Sequence, residues 1–447
     1  MGRYFGTDGI RGVANAELTP ELAFKLARAS AHRLLEDNNK LILIGKDTRI
    51  SGNMLESALV AGYNSMGFDV KLLGVIPTPA VAQLVLKYGA EAGIVISASH
   101  NSFEYNGIKY FGSDGYKLPD SVEEDIEDLI DNYKLIKERP VGENLGRIEY
   151  HKESTEEYKN YLKGIIQTRF DGFKIALDCG NGATFKAAPE VFRELGAEVF
   201  EINTEPNGIN INDKCGSTHP EKLKKIVIEN KCDIGFAYDG DGDRLITVDE
   251  KGELLDGDHF LAILAKNLKE NGRLENNGVV GTVMTNIGLD KFCESNDIKL
   301  IKASVGDRYV LETMLNEGYC IGGEQSGHII FKDYATTGDG LLSSLLLMEV
   351  LVHSNKKISE LNSLVTTYPQ VLVNARVKNE LKKSYETDQE INREIQRVEA
   401  VFKGQGRVLI RPSGTEPLVR VMIEGKDLDV LNKEAKKIAS LIESKFL

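Results

Sequence analysis

The sequence has 447 residues, with 55 Lys+Arg against 68 Asp+Glu and a formal net charge of −13. At about 150 residues per domain that length predicts three domains, give or take one, and 41% hydrophobic with 28% charged residues excludes a disordered chain. The acidic balance excludes a protein whose main partner is nucleic acid or an anionic membrane, since both demand a basic face.

In chain order, Phe5 to Gly12 (FGTDGIRG) precedes a helix marked by Thr19 as N-cap and Pro20 at the first helical position. Lys40 to Gly45 predicts a strand ending in the polar loop Lys46 to Arg49, followed by a helical pattern through Leu55, Leu59 and Met66. A strand from Asp69 to Gly74, a helix from Thr78 to Tyr88 and a strand from Gly93 to Ile96 lead into Ser97 to Asn101 (SASHN). The run Glu123 to Asp128 predicts the solvated face of a helix closing this copy. The same order returns in Lys174 to Ala183, the helix Pro189 to Leu195, Ala197 to Ile202, the helix Pro220 to Asn230, and Asp233 to Asp243, which ends in DGDGD. It returns again in Gly278 to Asn286, Leu289 to Ser295, Ile298 to Ala303, Gly306 to Glu317, and Tyr319 to His328, which ends in GGEQSGH. A pattern repeated three times is a domain-level repeat. Strands alternating with helices give βαβ units, whose ligand loops lie beyond the carboxyl ends of the strands.

After Pro369 the pattern changes to a strand (Val371 to Val377), a polar helix from about Lys382 to Val398, two strands around Arg411 to Pro417, and a final helix. The expected fold is α/β, with three tandem related α/β domains of mixed, mostly parallel sheets and a smaller C-terminal α+β domain. The expected domains are 1–153, 154–255, 256–368 and 369–447. Five widely spaced cysteines without a C-x-x-C pair predict buried or idle thiols in a reducing cytosol. The opening residues carry no apolar signal region. The greasiest stretch, Leu341 to Val352, falls short of the about 20 residues of a membrane span. A soluble, cytoplasmic protein is expected.

Four loops carry the chemistry. Asp239, Asp241 and Asp243 alternate with glycines and can curl around one hard cation. With Glu250 they also match positions 1, 3, 5 and 12 of an EF-hand loop. That reading fails because Arg244 stands where glycine is needed and the flanks read as strands. Three anions with few waters to lose favour Mg²⁺ over Ca²⁺, and the absence of soft ligands argues against zinc. In SASHN, His100 follows Ser99 on an expected extended backbone, which would turn the two side chains to opposite faces and exclude a Ser–His pair. A serine that takes a phosphoryl group beside a metal fits better. Arg411 to Thr415 (RPSGT) is a plain turn or an anion nest built from the Ser413 and Thr415 hydroxyls, backbone N–H groups near Gly414, and the guanidinium groups of Arg411 and Arg420. Gly322 to His328 offers a carboxylate, an amide, a hydroxyl and an imidazole, which suits a polyhydroxyl ligand as well as it suits an ordinary loop.

FGTDGIRG, SASHN, DGDGDR, GGEQSGH and RPSGTEP, in this order along the whole chain, resemble the α-D-phosphohexomutase (phosphoglucomutase/phosphomannomutase) family, its bacterial amino-sugar branch in particular. The resemblance implies four domains around a central cleft. It also implies an isomerase that interconverts glucosamine 6-phosphate and glucosamine 1-phosphate through a 1,6-bisphosphate, feeding UDP-N-acetylglucosamine and cell-wall precursor synthesis. By the same resemblance Ser99 is the nucleophile, carried as phosphoserine and sharing one Mg²⁺ with Asp239, Asp241 and Asp243. Glu324 and Ser326 match the sugar-hydroxyl loop, and Arg411, Ser413, Gly414 and Thr415 match the grip on the phosphate not being transferred. Arg11, Lys109, His100 and His328 match positions near the reacting oxygen, with Lys109 the leading general base. The family usually has Pro after SASHN. Here Ser102 stands there, which removes a fixed φ and adds a second hydroxyl near the site. A homodimer is an expectation by analogy alone.

A phosphosugar on a protein of charge −13 must be met by local cations: Arg11, Lys109, Arg244, Arg411, Arg420 and the metal. Rival readings are a phosphoglucomutase or phosphomannomutase with the same machinery, a Mg²⁺-dependent phosphatase, and a non-catalytic sugar-phosphate sensor.

Overall fold

The computed structural model describes residues 2–6, 8–34, 40–402, 404–413 and 416–447. They fall into two compact units, Met1–Met284 with Ile298–Leu364, and Thr285–Asp297 with Val365–Leu447.

The first unit opens with β1 (Ile10–Val13), α1 (Pro20–Arg33), β2 (Leu41–Lys46), α2 (Gly52–Asn64), β3 (Asp69–Val75), α3 (Thr78–Tyr88), β4 (Ala92–Ile96), β5 (Tyr105–Gly112), α4 (Asp120–Asp131) and β6 (Ile148–Tyr150). Their strands form one sheet ordered β1-β5-β4-β2-β3-β6, in which β2 pairs parallel with β3 and β4 while β5 returns antiparallel beside β4. The Thr19 hydroxyl accepts the Leu22 N–H and starts α1 where the sequence predicts. Leu26 and Ala27 of α1, Leu55 and Leu59 of α2, and Ile42 and Ile44 of β2 share one core. Each of the leucine and isoleucine side chains contributes about 1.5–3 kcal/mol by leaving water.

Next come α5 (Ser154–Ile165), β7 (Lys174–Asp178), α6 (Ala187–Glu194), β8 (Glu198–Ile202), α7 (Glu221–Asn230), β9 (Ile234–Tyr238), β10 (Leu245–Asp249) and β11 (Leu254–Leu255), with sheet order β11-β10-β9-β7-β8. After them run α8 (Gly257–Glu270), β12 (Gly278–Thr282), α9 (Ile287–Ser295), β13 (Lys299–Ala303), α10 (Asp307–Glu317), β14 (Ile321–Gly323), β15 (Ile329–Phe331), α11 (Gly340–Ser354) and α12 (Ile358–Asn362), with sheet order β13-β12-β14-β15. Of these, α9 belongs to the second unit.

The threefold repeat is real at the level of topology. In each copy a middle strand (β2, β7 or β12) lies parallel to both neighbours, and the last parallel strand (β4, β9 or β14) is followed by an antiparallel return. The three loops singled out in the sequence are the connections β4–β5, β9–β10 and β14–β15. Each strand end that delivers a loop is buried, so its hydrogen-bonded backbone leaves the loop little freedom to drift.

The acidic run of α4 is not a wholly solvated face. Glu123 and Glu127 lie four residues apart, hence on one side of the helix, and both are buried. Glu127 accepts the backbone N–H groups of Arg3, Tyr4 and Phe5 at 2.9, 2.6 and 2.7 Å. Burial pushes its carboxyl up, but these bonds and Arg3 hold it below the usual carboxylate range. Glu123 accepts from Arg308 of α10 at 3.0 Å. The charge count along the chain is unable to show that these acids face partners more than a hundred residues away.

Asp339 caps α11 by accepting the Leu342 N–H at 2.9 Å, and the Tyr158 hydroxyl of α5 donates to its carboxylate at 2.8 Å. Burial raises this carboxyl to about 6, against the hydrogen bonds that favour its charge. An unfolded Asp ionises near pH 3.9. The native state therefore binds the extra proton between these values, and stability complete below about pH 4 is lost as pH rises through about 6. Asp339→Asn keeps an acceptor for Leu342 and removes the titration. In protein stripped of divalent cations, the variant is expected to gain up to about 3 kcal/mol relative to wild type between pH 4 and pH 7.5. Urea unfolding of both proteins at the two pH values measures this, and a constant difference refutes it.

The second unit is an antiparallel sheet of β16 (Gln370–Arg376), β17 (Arg407–Pro412) and β18 (Leu418–Glu424), ordered β16-β18-β17, with α13 (Gln389–Phe402) and α14 (Leu428–Phe446). The polar helix begins seven residues later than the sequence pattern suggests. Asp388 accepts the N–H groups of Glu390 and Ile391, each at 3.0 Å, and Asn379–Leu381 and Ser384–Thr387 form 3₁₀ turns instead. All five cysteines are buried, and none forms a disulfide. Among the described residues no helix is long and apolar enough to cross a membrane.

Candidate active site

The buried strand β4 delivers Ser97–Asn101 to the sheet's carboxyl edge, and β5 turns back antiparallel with Lys109 opposite Val95. Ser99 is almost fully buried and lies in the left-handed region, with φ +52°. Its hydroxyl donates to Asp239 Oδ2 at 2.6 Å across 140 residues of chain. The left-handed turn also alters the expected relation to His100. The two side chains do not face apart, and Nδ1 of His100 lies 3.5 Å from Ser99 Oγ. That distance is too long for a competent proton transfer. Burial, with Arg244 and Arg11 nearby, lowers His100 to about 4. Nδ1 of His100 also lies 3.3 Å from the Arg244 guanidinium.

The β9–β10 turn packs directly on this loop. A Cβ on Gly240 would stand 2.6 Å from the Ser99 carbonyl oxygen, so the absence of a side chain there permits the approach. Asp239, Asp241 and Asp243 are all buried, and one oxygen from each lies within 4.8 Å of the others. Thr78 Oγ1 and Lys109 Nζ donate to Asp241 Oδ2 at 2.6 and 2.7 Å. Lys109 also pairs with Asp8 at 3.0 Å and Asp243 at 3.5 Å. Burial acts against the charge of this ammonium, yet Asp241, Asp8 and Asp243 raise its pKa above the ordinary lysine value. An ammonium so surrounded offers charge rather than a lone pair.

Oδ1 of Asp241 and Oδ1 of Asp243 are buried without a hydrogen-bond partner. Burial, then the neighbouring Asp243 and Asp241, push Asp239 well above the usual carboxylate range. Buried anionic oxygens that lack donors call for a cation, and the all-oxygen set is that of a hard one. The residues present therefore fit a divalent metal ion.

Cationic groups surround the same spot. Arg11 of β1 pairs with Asp8, and its Nε is buried without a partner. The Arg244 Nε likewise makes no hydrogen bond and lies 3.8 Å from Asp243. His328 Nε2 accepts the Gly338 N–H at 3.0 Å, so its Nδ1 carries the proton and faces Asp243 at 3.6 Å. The third loop reaches the cluster through β10. Leu245 N donates to the Gly327 carbonyl at 3.0 Å, and a Cβ on Gly327 (φ +91°) would collide with the Leu245 carbonyl. Glu324 accepts the Gly306 N–H at 3.1 Å, and Ser326 is exposed.

The structure thus brings together Ser99, His100, Lys109, Arg11, Asp239, Asp241, Asp243, Arg244, Glu324 and His328 in the first unit. Arg411, Ser413 and Arg420 belong to the second unit, and Gly414 and Thr415 lie outside the described residues. Arg411 and Arg420 are register partners on β17 and β18, so two guanidinium groups stand on neighbouring strands. Arg420 also pairs with Glu416 at 3.4 Å. Ser413 Oγ accepts the Glu416 N–H at 3.2 Å.

Sequence reasoning missed Asp8, which gathers Arg11, Lys109 and Lys117. It also missed Thr78, Arg49 and Asn212. Asp8 had a signal in its place three residues before Arg11, and Arg49 in its place at the carboxyl edge of β2. Thr78 and Asn212 had none.

Models of phosphoglucomutase/phosphomannomutase match four stretches of the chain: alpha/beta/alpha domain I over residues 2–137, domain II over 155–252, domain III over 256–368 and the C-terminal domain over 372–441. The chain is 57% identical over 445 residues to a phosphoglucosamine mutase of Finegoldia magna, covering all of this chain and 99% of that one. It is 55% identical over 446 residues to a phosphoglucosamine mutase of Clostridioides difficile, covering both in full. Its fold is similar to that of a phosphoglucomutase/phosphomannomutase family protein from Burkholderia thailandensis, with a TM-score of 0.82 at 24% identity over 100% of this chain and 99% of the other.

Proposed function

This chain belongs to the phosphoglucomutase/phosphomannomutase family, and on that premise we propose that it is a mutase interconverting glucosamine 6-phosphate and glucosamine 1-phosphate through a phosphorylated Ser99. The observation that carries the reading is the 2.6 Å hydrogen bond from Ser99 to Asp239 inside a buried cluster of three carboxylates, two of whose oxygens lack donors. The full-length identity to phosphoglucosamine mutases supports the amino sugar as substrate.

Asp239, Asp241, Asp243 and an oxygen on Ser99 would hold the metal, Mg²⁺ in our reading, which supplies Lewis-acid charge neutralisation for a phosphoryl group in transit. The protein's own groups do the rest. In the forward direction the Ser99 Oγ–P bond breaks as a bond from phosphorus to O1 of the sugar 6-phosphate forms, and the proton that leaves O1 ends on the freed Ser99 Oγ. In the return step the 6-phosphoryl group passes from O6 to Ser99 Oγ and the Ser99 proton ends on O6, leaving the 1-phosphate. Phosphoryl transfer asks for positioning and charge more than for covalent chemistry. Lys109, Arg11 and Arg244 supply the charge, and the unpartnered Nε atoms of the two arginines are donors ready for phosphate oxygens. Glu324 and Ser326 would meet the sugar's polar groups. Arg411, Ser413, Gly414, Thr415 and Arg420 would grip the phosphate not in transfer. His100 and His328 sit beside the reacting centre, with the His328 proton placed at Nδ1 by the Gly338 bond. The bisphosphate serves as intermediate and activator. We place the enzyme in the cytoplasm and take a homodimer as the assembly to test.

Initial rates of the purified protein, with Mg²⁺ and a trace of bisphosphate, on glucosamine, glucose and mannose 6-phosphates test the reading. We expect kcat/KM for glucosamine 6-phosphate to exceed the others by about 10-fold or more, because a buried site that pairs with a specific polar group rejects its replacement strongly. A higher value on glucose or mannose overturns the amino-sugar assignment. Release of inorganic phosphate at the turnover rate makes the protein a phosphatase.

A further inference from the structure

We propose that Arg49 is the positioning residue of the nucleophile: its buried guanidinium holds the Ser97–Asn101 loop in the one conformation that aims Ser99 Oγ at the Asp239–Asp243 cluster. The proposal rests on Ser99 being the phosphorylated residue.

Arg49 follows β2 at the sheet's carboxyl edge, beside the loop but not in it. Its side chain is wholly buried, as is that of its counter-ion Asp47, to which Nε donates at 2.8 Å. The other donors go to main-chain carbonyls of a single segment. Nη2 donates to Ser99 at 2.9 Å and Asn101 at 2.8 Å, while Nη1 donates to Ser102 and, at 3.1 Å, to Tyr105. A guanidinium has five N–H donors in a rigid plane, and here all five are used, one on Asp47 and four on residues 99–105. No donor remains for substrate, so Arg49 acts through the loop and is not a catalytic residue.

The same carbonyls receive a second clamp from the segment between β8 and α7. Asn212 Nδ2 donates to Ser99 O at 2.8 Å and Asn101 O at 3.0 Å. The Ser99 N–H is fixed as well, on Ser97 Oγ at 2.9 Å, and that hydroxyl donates onward to Asp47 Oδ2 at 2.6 Å. Asp47 therefore ties the donor side of the Ser99 peptide and Arg49 ties its acceptor side. Both flanking peptide groups of a serine at φ +52° are held, in a left-handed backbone conformation that is costly for a residue with a side chain. Released from the clamp, the residue is free to return to negative φ, which swings Oγ away from Asp239.

A lysine keeps the charge opposite Asp47 but has three donors on a point charge and no planar fork. Arg49→Lys is expected to lower kcat on glucosamine 6-phosphate by about 100-fold, the scale of a 1 Å misplacement of a reacting group. KM should stay within about 3-fold, because no substrate contact is lost. The fraction phosphorylated at Ser99, read by intact mass and peptide mapping, should fall in parallel. Arg49→Ala should be slower still and recover 10-fold or more in millimolar methylguanidinium, which refills the cavity with the same fork. Wild-type kcat and full Ser99 phosphorylation in folded Arg49→Lys overturn the proposal. So does a loss of activity matched only by a loss of folded protein, with no recovery by methylguanidinium. Wild-type protein assayed beside them separates the two readings, since its failure to turn over any hexose phosphate would refute the mutase assignment instead.

Discussion

Ser99→Ala is expected to lose turnover by about 10⁴-fold or more, while folding as the wild type does. Removing a covalent nucleophile leaves only the binding and electrostatic parts of an active site, and such losses are of that order. The effect on stability is small by comparison. The substitution deletes one hydroxyl and one hydrogen bond to Asp239, worth about 1 kcal/mol net, and leaves the Arg49 and Asn212 bonds to the main chain intact. The paired measurement is peptide mass spectrometry of the active wild type. The phosphoryl group should lie on Ser99 and be missing from the variant. Ser102 is the competing hydroxyl, and its geometry argues against it. It is exposed and its carbonyl is held by Arg49, whereas Ser99 Oγ touches the carboxylate cluster. Ser102→Ala should keep wild-type activity. Phosphate on Ser102, or turnover retained in Ser99→Ala, ends the covalent mechanism as we have assigned it.

Asp241→Asn is the second large loss expected. Asp241 offers one oxygen to Thr78 and Lys109 and leaves the other, Oδ1, buried with no donor. Asparagine replaces one of its two oxygens by an N–H group, which repels a cation, and removes a unit of charge from a site that must hold one. Charge neutralisation by a bound metal is worth several kcal/mol in such transfers, and about 1.4 kcal/mol is tenfold. The variant should therefore be about 10³-fold slower or worse at saturating Mg²⁺. Binding has its own readout. Mg²⁺ at 100 times its dissociation constant stabilises the folded state by about 2.7 kcal/mol, so it should raise the melting temperature of wild type and leave that of Asp241→Asn nearly unchanged. Chelation should abolish wild-type activity and Mg²⁺ should restore it. Full activity in the chelated wild type would remove the metal from the reaction.

Several elements were legible because their causes are local. Thr19 followed by Pro20 starts α1 as read, because a hydroxyl cap and a fixed φ act within one turn. Helix α3 runs over Thr78–Tyr88 as read and stops at Gly89, φ +58°. The repeat was legible because hydrophobic period and turn chemistry recur in the chain itself. Other features failed for equally physical reasons. The late start of α13 turns on Asp388 as a cap, one choice among several polar residues. The burial of Glu123 and Glu127 depends on Arg308 and on the amides of residues 3–5, and no window over α4 contains them.

The sequence by itself determined the order of strands and helices, the placing of the special loops at strand ends, and the donor and acceptor groups each loop offers. Three acids spaced by glycines can curl around one hard cation. Only the tertiary structure decided that Ser99 lies 2.6 Å from Asp239, that its backbone is left-handed, that Asp8 gathers three cations, and that Arg49 spends all its donors on one loop. Each of these depends on which polar groups meet once the sheets have packed. A buried donor or acceptor must find a partner wherever packing brings one, and that partner can be anywhere in the chain. Periodicity reports which face a residue shows. It does not report whom it meets.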